Sequence, residues 1–267
     1  GNLTMNNNSL ITPSPTTTPI IYSGTGIYLS GTSSMATLNG GSVIEKQTSY
    51  AIYASRGATV NIDGSVIQDC VYSGAIPVRM TDVNTVVNMT AGKIINNRNT
   101  SSIGHAGTVY VVSGATFNFS GGEITGNNKT TTTDIMYGQQ VYISGGTMTF
   151  TGGSIIPTDS TRNAIYVYGT GTTATTTGRL TLSNNIVLDS GFIYCSYPNS
   201  APIILNETLN PARKFNINLG DNMAGCTLVD GTSAGTYPAS VSNFILNPDL
   251  TSLSLSQSGN DVIVGSD

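Results

Sequence analysis

Carboxylic acids are the first residues in this chain that could do chemistry, and their spacing argues against it. The sequence holds 14 Asp and Glu among 267 residues. Acid–base cleavage of a glycoside needs two carboxyls facing each other across a cleft, about 5–10 Å apart. Here Asp63, Asp69, Asp82, Asp134, Asp159 and Asp189 are dispersed, and no Asp-Asp pair occurs. A calcium-dependent lyase needs clustered acids and a base to take a proton, yet no Asp-x-Asp is present. His105 is the sole histidine. It stands in Ser101–Gly107 with no Ser/Asp or Cys pattern beside it, so it is read as an exposed loop residue and not as a catalyst or metal ligand. Cys70, Cys195 and Cys226 lie far apart without zinc spacing. They are read as free buried thiols acting as small hydrophobes, with a Cys195–Cys226 bridge as the alternative. No cofactor is implied.

The tyrosines are placed with more order. Tyr28, Tyr53, Tyr110, Tyr142, Tyr166 and Tyr194 each occupy the centre of a short triplet: Ile27-Tyr28-Leu29, Ile52-Tyr53-Ala54, Val109-Tyr110-Val111, Val141-Tyr142-Ile143, Ile165-Tyr166-Val167 and Ile193-Tyr194-Cys195. One further triplet, Ile76-Pro77-Val78, fits the series with proline at its centre. Apolar–variable–apolar is the period of a strand with one buried face, so the central residues point outward. Stacked strands lie about 4.8 Å apart, and neighbouring rings should then touch. Two readings follow. The column is a ligand-binding strip for flat apolar faces such as sugar rings or a partner protein. Or it is self-stacking that stiffens the sheet, or a strip that an insertion loop covers.

Such a column requires coils stacked in register. Second segments follow most triplets: Ala36-Thr37-Leu38, Val60-Asn61-Ile62, Val87-Asn88-Met89, Phe117-Asn118-Phe119 and Met148-Thr149-Phe150. Their central Thr and Asn face outward and can form a ladder. A glycine corner comes next, at Gly40-Gly41, Gly64, Gly92, Gly121-Gly122 and Gly152-Gly153. A third apolar piece follows: Val43-Ile44, Val66-Ile67, Ile94-Ile95, Ile124 and Ile155-Ile156. Polar loops such as Asn96-Asn97 and Asn127-Asn128 close the coil. The unit recurs every 24–33 residues or so, the period of a solenoid. The spacing predicts an all-β, single-stranded right-handed parallel β-helix with a β-rich C-terminal cap. Residues 1–25 form an irregular first coil, 26–200 the regular coils, and 201–267 the terminal coils and cap of one continuous domain. The longer intervals place protruding loops at Asn97–Gly107 and Lys129–Gly138. An immunoglobulin-like fold is excluded, because it needs hairpins between consecutive strands.

Composition agrees. Only 9% of residues are charged and 31 are glycine. The polarity comes from neutral Thr, Ser and Asn, roughly a third of the chain, as in repetitive β proteins. A net charge of −4 with no basic run disfavours nucleic acid. No stretch of about 18 apolar residues spans a membrane. Sequons at Asn88, Asn118, Asn128 and Asn206 are read as a by-product of composition.

Gly121-Gly122-Glu123-Ile124-Thr125-Gly126-Asn127 and Gly152-Gly153-Ser154-Ile155 resemble the Gly-Gly-x-Ile-x-x-Asn repeats of bacterial β-helix surface proteins. Thr116–Ser120 and Thr147–Thr151 look like the second strand of those repeats, and the resemblance runs from about residue 26 to 180. A more distant similarity is to the passenger repeats of polymorphic outer-membrane proteins, whose Phe-x-x-Asn occurs here only at Phe244–Asn247. The resemblance implies a secreted or cell-surface, adhesin-type module, not an enzyme, that binds a host or neighbouring-cell glycan or protein as a monomer. The alternatives are a polysaccharide-active β-helix lyase or glycosidase, or its inactive relative, and a structural spacer.

Overall fold

A strand sequence that alternates apolar and polar residues buries one face, and here each strand finds its partner one coil away. The computed structural model describes residues 1–12, 24–72, 76–100, 107–129, 140–169, 178–188, 190–196, 202–220, 223–232 and 235–266. It is an all-β parallel β-solenoid of the right-handed type, with about 6 turns. The triplets form one nine-stranded sheet, running from Ile27–Ser30 to Phe244–Leu246. The second and third segments form a larger sheet that bends at the glycine corners. Both sheets are parallel through the coils, as they must be when like strands recur only after a full turn.

The core is a set of columns. Ile52, Val78, Val109, Val141, Ile165, Ile193 and Ile217 are aligned across the triplet sheet, and all are fully buried. Across from them stand Val60, Val87, Phe117, Met148, Leu180 and Ile203, also fully buried. Phe119 stacks on Phe150 with centroids 5.1 Å apart. Each such side chain contributes about 1.5–3 kcal/mol on burial. No coil holds enough of them to fold alone, so stability is shared between neighbours.

The alternation assigns inward and outward residues correctly, but one triplet is out of register. Val78-Arg79-Met80, not Ile76-Pro77-Val78, aligns with Ile52-Tyr53-Ala54 and Val109-Tyr110-Val111. Pro77 sits just ahead of the strand, where its carbonyl accepts the Ala51 and Ile52 N–H groups. A proline at the centre of an interior strand would remove a ladder donor, which is why the strand begins after it.

The glycine corners let successive backbones approach closely. Gly92 and Gly122 both have φ +97°, and a Cβ on Gly92 would lie 2.3 Å from the Ser65 carbonyl oxygen. In two coils the corner is so smooth that Thr59–Gln68 and Val86–Ile95 run as single strands. Of the Asn residues expected in polar closing loops, Asn96 and Asn128 are exposed, whereas Asn97 and Asn127 are part of the interior. Asn97 and Asn127 are 1% and 0% exposed. The Asn127 side-chain oxygen accepts the Asn97 N–H at 2.9 Å, and its amide donates to the Ile94 carbonyl at 2.9 Å and to Gln140 Oε1 at 2.7 Å. Asn97 does the same one coil earlier, toward Cys70 N–H and the Ile67 carbonyl. Buried amides satisfied in this way close these two turns.

At the first coil, Asn2–Met5 pairs with Met35–Leu38 and Leu10–Ile11 with Val43–Ile44. At the other end Leu253–Ser258 and Asp261–Ser266 form an antiparallel hairpin, which also pairs antiparallel with Thr227–Asp230. That hairpin covers part of the open sheet edge that parallel stacking would otherwise leave. Among the described residues no helix is long and apolar enough to cross a membrane. The protruding segments expected at Asn97–Gly107 and Lys129–Gly138 lie largely outside the described residues, and His105, Asp134 and Asp189 lie wholly outside them.

Candidate functional site

The outward residues of the triplet sheet form one column: Tyr28, Tyr53, Arg79, Tyr110, Tyr142, Tyr166, Tyr194 and then Asn218. The interruption expected at Pro77 is therefore Arg79. Tyr28 and Tyr53 are parallel within 2°, with centroids 4.9 Å apart. Tyr142, Tyr166 and Tyr194 stack at 5.1 and 4.6 Å. Tyr50 packs edge-on against Tyr53 at 5.0 Å. The Arg79 guanidinium carbon lies 5.8 Å from the Tyr53 ring centroid and 5.4 Å from that of Tyr110. It is a rung of the stack: a planar cation between two electron-rich faces.

This arrangement changes what the column offers. Rings stacked face to face use their faces on one another, leaving edges and hydroxyls for anything outside. The column also divides by exposure. Tyr142, Tyr166 and Tyr194 are 2%, 5% and 7% exposed and form a small cluster of their own, flanked by Tyr110 and Tyr168. Tyr28 is 65% exposed, and Tyr53, Arg79 and Tyr110 are half-buried. Burial holds the Tyr53 and Tyr110 phenols above the ordinary tyrosine value, with Arg79 pulling the other way. Burial pushes Tyr142 up as well. All three phenols stay neutral near pH 7.

Arg79 lacks a carboxylate partner among the described residues. Its Nε is buried and makes no hydrogen bond. The carboxylate nearest to it in sequence, Asp82, lies just past the end of the strand and accepts the Arg56 N–H at 3.0 Å and the Thr81 hydroxyl at 3.3 Å. It helps to shape the turn that follows the strand.

Several of the other described acids are spent on local structure in the same way. Asp63 accepts from Thr90 at 2.9 Å, Asp159 from the Thr161 N–H at 2.9 Å, and Asp261 from the Gly231 N–H at 3.0 Å. Glu207 accepts the Asn184 N–H at 2.8 Å and the Ser183 hydroxyl. Glu123 pairs with Lys93 at 3.1 Å, one coil away. Among the described residues no three His, Cys, Asp or Glu side chains group to hold a metal ion. Cys70, Cys195 and Cys226 are buried thiols, and the Cys195–Cys226 bridge does not form.

The second outward column is the expected ladder. Asn118 donates to Asn88 and Asn88 to Asn61, each at 2.8 Å. Thr37 and Thr149 continue it at either end. Its amides are partnered with each other.

No protein-family model matches this chain, and neither a curated protein nor a solved structure matches it.

Proposed function

We propose that this protein is a non-catalytic, secreted or cell-surface interaction module that binds a glycan through the exposed end of its aromatic column, from Tyr28 to Tyr110. The observation that carries the reading is the alignment of Tyr28, Tyr53, Arg79 and Tyr110 in one register on an accessible sheet face. A repeating saccharide presents hydroxyls and ring C–H groups at regular intervals, and a rigid row of phenol edges and hydroxyls meets them without losing conformational freedom. Tyrosine suits this task because it combines a large apolar body with a polar tip and only two side-chain torsions. The acids described above serve turns and ion pairs, which supports binding over cleavage.

The test is a glycan array with the wild-type chain and the double variant Tyr28→Ser/Tyr53→Ser, followed by a reducing-sugar assay on every hit. Both positions point away from the core, so far-UV circular dichroism should be retained. The expected result is binding without release of reducing ends, weakened at least about tenfold in the variant. Equal binding by the variant would leave the column with only the stiffening role that the buried Tyr142–Tyr166–Tyr194 stack already has. Release of reducing ends would move the protein to the polysaccharide-active alternative.

A further inference from the structure

We infer that the Arg79 rung selects an acidic saccharide, one whose sugar carboxylate docks edge-on against the guanidinium between Tyr53 and Tyr110. This inference rests on the glycan-binding reading above and adds the class of sugar. Three observations lead to it. First, Arg79 takes a position that tyrosine fills in every other triplet from Tyr28 to Tyr194. Stacking alone does not require a cation there, since tyrosine on tyrosine already stacks at 4.6–5.1 Å in this protein. Second, the guanidinium has no counter-ion among the described residues, and its Nε lacks an acceptor. A half-buried cation in this condition has lost part of its hydration and has ring faces beside it but no counter-ion. Third, the guanidinium carbon lies over the rings of its neighbours in register, 5.8 Å from the Tyr53 centroid and 5.4 Å from that of Tyr110, and its planar fork is complementary to a carboxylate through two parallel hydrogen bonds. Phenol hydroxyls one coil away on either side would meet the hydroxyls of the same sugar or of its neighbours.

Charge elsewhere on the molecule makes the selection more telling. The chain is acidic overall, at −4, and general attraction would favour cationic ligands. An acidic saccharide is bound only if a local cation overcomes that field. Asp82, in the turn after the strand, is the competing group, and its carboxylate is already held by the Arg56 N–H and the Thr81 hydroxyl.

The experiment uses the full chain, its Arg79→Gln variant and the Tyr28→Ser/Tyr53→Ser variant against four probes. These are polygalacturonate, its fully methyl-esterified form, dextran sulfate and dextran. Binding is read by affinity electrophoresis or calorimetry at two salt concentrations. Wild type should bind polygalacturonate about tenfold or more tightly than the ester, with an affinity that falls as salt rises. Arg79→Gln should lose that preference and keep its residual affinity for the neutral ester, while the tyrosine variant should lose both. Dextran sulfate bound in place of polygalacturonate would move the anion from carboxylate to sulfate and overturn the fork geometry. Equal binding of acid and ester, or an Arg79→Gln variant that still prefers the acid, would overturn the inference and leave the glycan reading standing. Absence of binding to all four probes would overturn both. Near-ultraviolet circular dichroism of the tyrosines shows whether Arg79→Gln keeps the stack, and Arg79→Lys, which keeps the charge without the planar fork, should recover less than half of the lost preference.

Discussion

At the residue scale the chain uses one chemistry, neutral amides and hydroxyls, for two opposite purposes. On the second outward column Asn61, Asn88 and Asn118 form a half-exposed ladder. Inside the turn Asn97 and Asn127 hold backbone groups that no strand can reach. The second role is the more demanding, because a buried polar group left without its partner costs about 1–3 kcal/mol. Asn127→Ala removes an acceptor for the Asn97 N–H and a donor to the Ile94 carbonyl and Gln140 at once. It should lower the unfolding free energy by about 2–4 kcal/mol, measured by urea denaturation. Asn118→Ala, on the outer ladder where water replaces the lost partner, should cost about 1 kcal/mol or less. Equal losses in the two variants would show that the buried network contributes no more than the surface ladder.

At the scale of elements, the glycine corner decides how closely coils stack. A Cβ at Gly92 would meet the Ser65 carbonyl oxygen at 2.3 Å and would also be strained by a φ of +97°. Gly92→Ala should therefore destabilise the fold by about 2 kcal/mol or more, combining backbone strain with a forced separation of two coils. A thermal melt checks it. Gly31→Ala is the comparison, since φ is +102° there but nothing lies within 4 Å of the added carbon; its cost should be strain alone, about 1 kcal/mol. The triplets, second strands, corners and inward columns were all legible in the sequence, because each obeys a period that stacking enforces. What was not legible is instructive. Ile76-Pro77-Val78 matches the apolar–variable–apolar pattern as well as Val78-Arg79-Met80 does, and only the dislike of an interior strand for proline separates them. The proline-centred alternative puts no cation in the column, whereas the observed register puts Arg79 there. Composition alone does not distinguish a solvated amide from one that caps a turn, so nothing in the residue types of Asn97 and Asn127 sets them apart from polar loop residues. Their common offset, three residues after Ile94 and Ile124, was the signal available. The division of the tyrosine column into a buried and an accessible part had no counterpart in the triplet pattern, which is the same for Tyr28 and Tyr166.

At the scale of the whole molecule, the solenoid is a one-dimensional stack in which each coil contacts only its neighbours. A defect therefore acts according to its place along the axis. Val109 is fully buried and lies mid-stack, in register with Val78 on one side and Val141 on the other. Val109→Asp puts a carboxylate among aliphatic side chains with no cation in register to receive it. The chain cannot pair the charge, and a buried charge without a partner costs more than a marginally stable domain can lose. The coil that carries it must open, and with it the two interfaces it shares. The expected outcome is loss of the cooperative transition and rapid proteolysis through the middle of the chain. The same substitution at Met5, buried but in the first coil and paired on one side only, with Leu38, should fray one end and leave the remaining coils protected. Limited proteolysis with mass spectrometry of the resistant fragments separates the two. If Met5→Asp dismantled the molecule as completely as Val109→Asp, the coils would be a single cooperative unit and the nearest-neighbour description would fail. If Val109→Asp left a protease-resistant chain, residue 109 would not be inside at all, and the outward position of Tyr110, with everything argued from it, would fall as well.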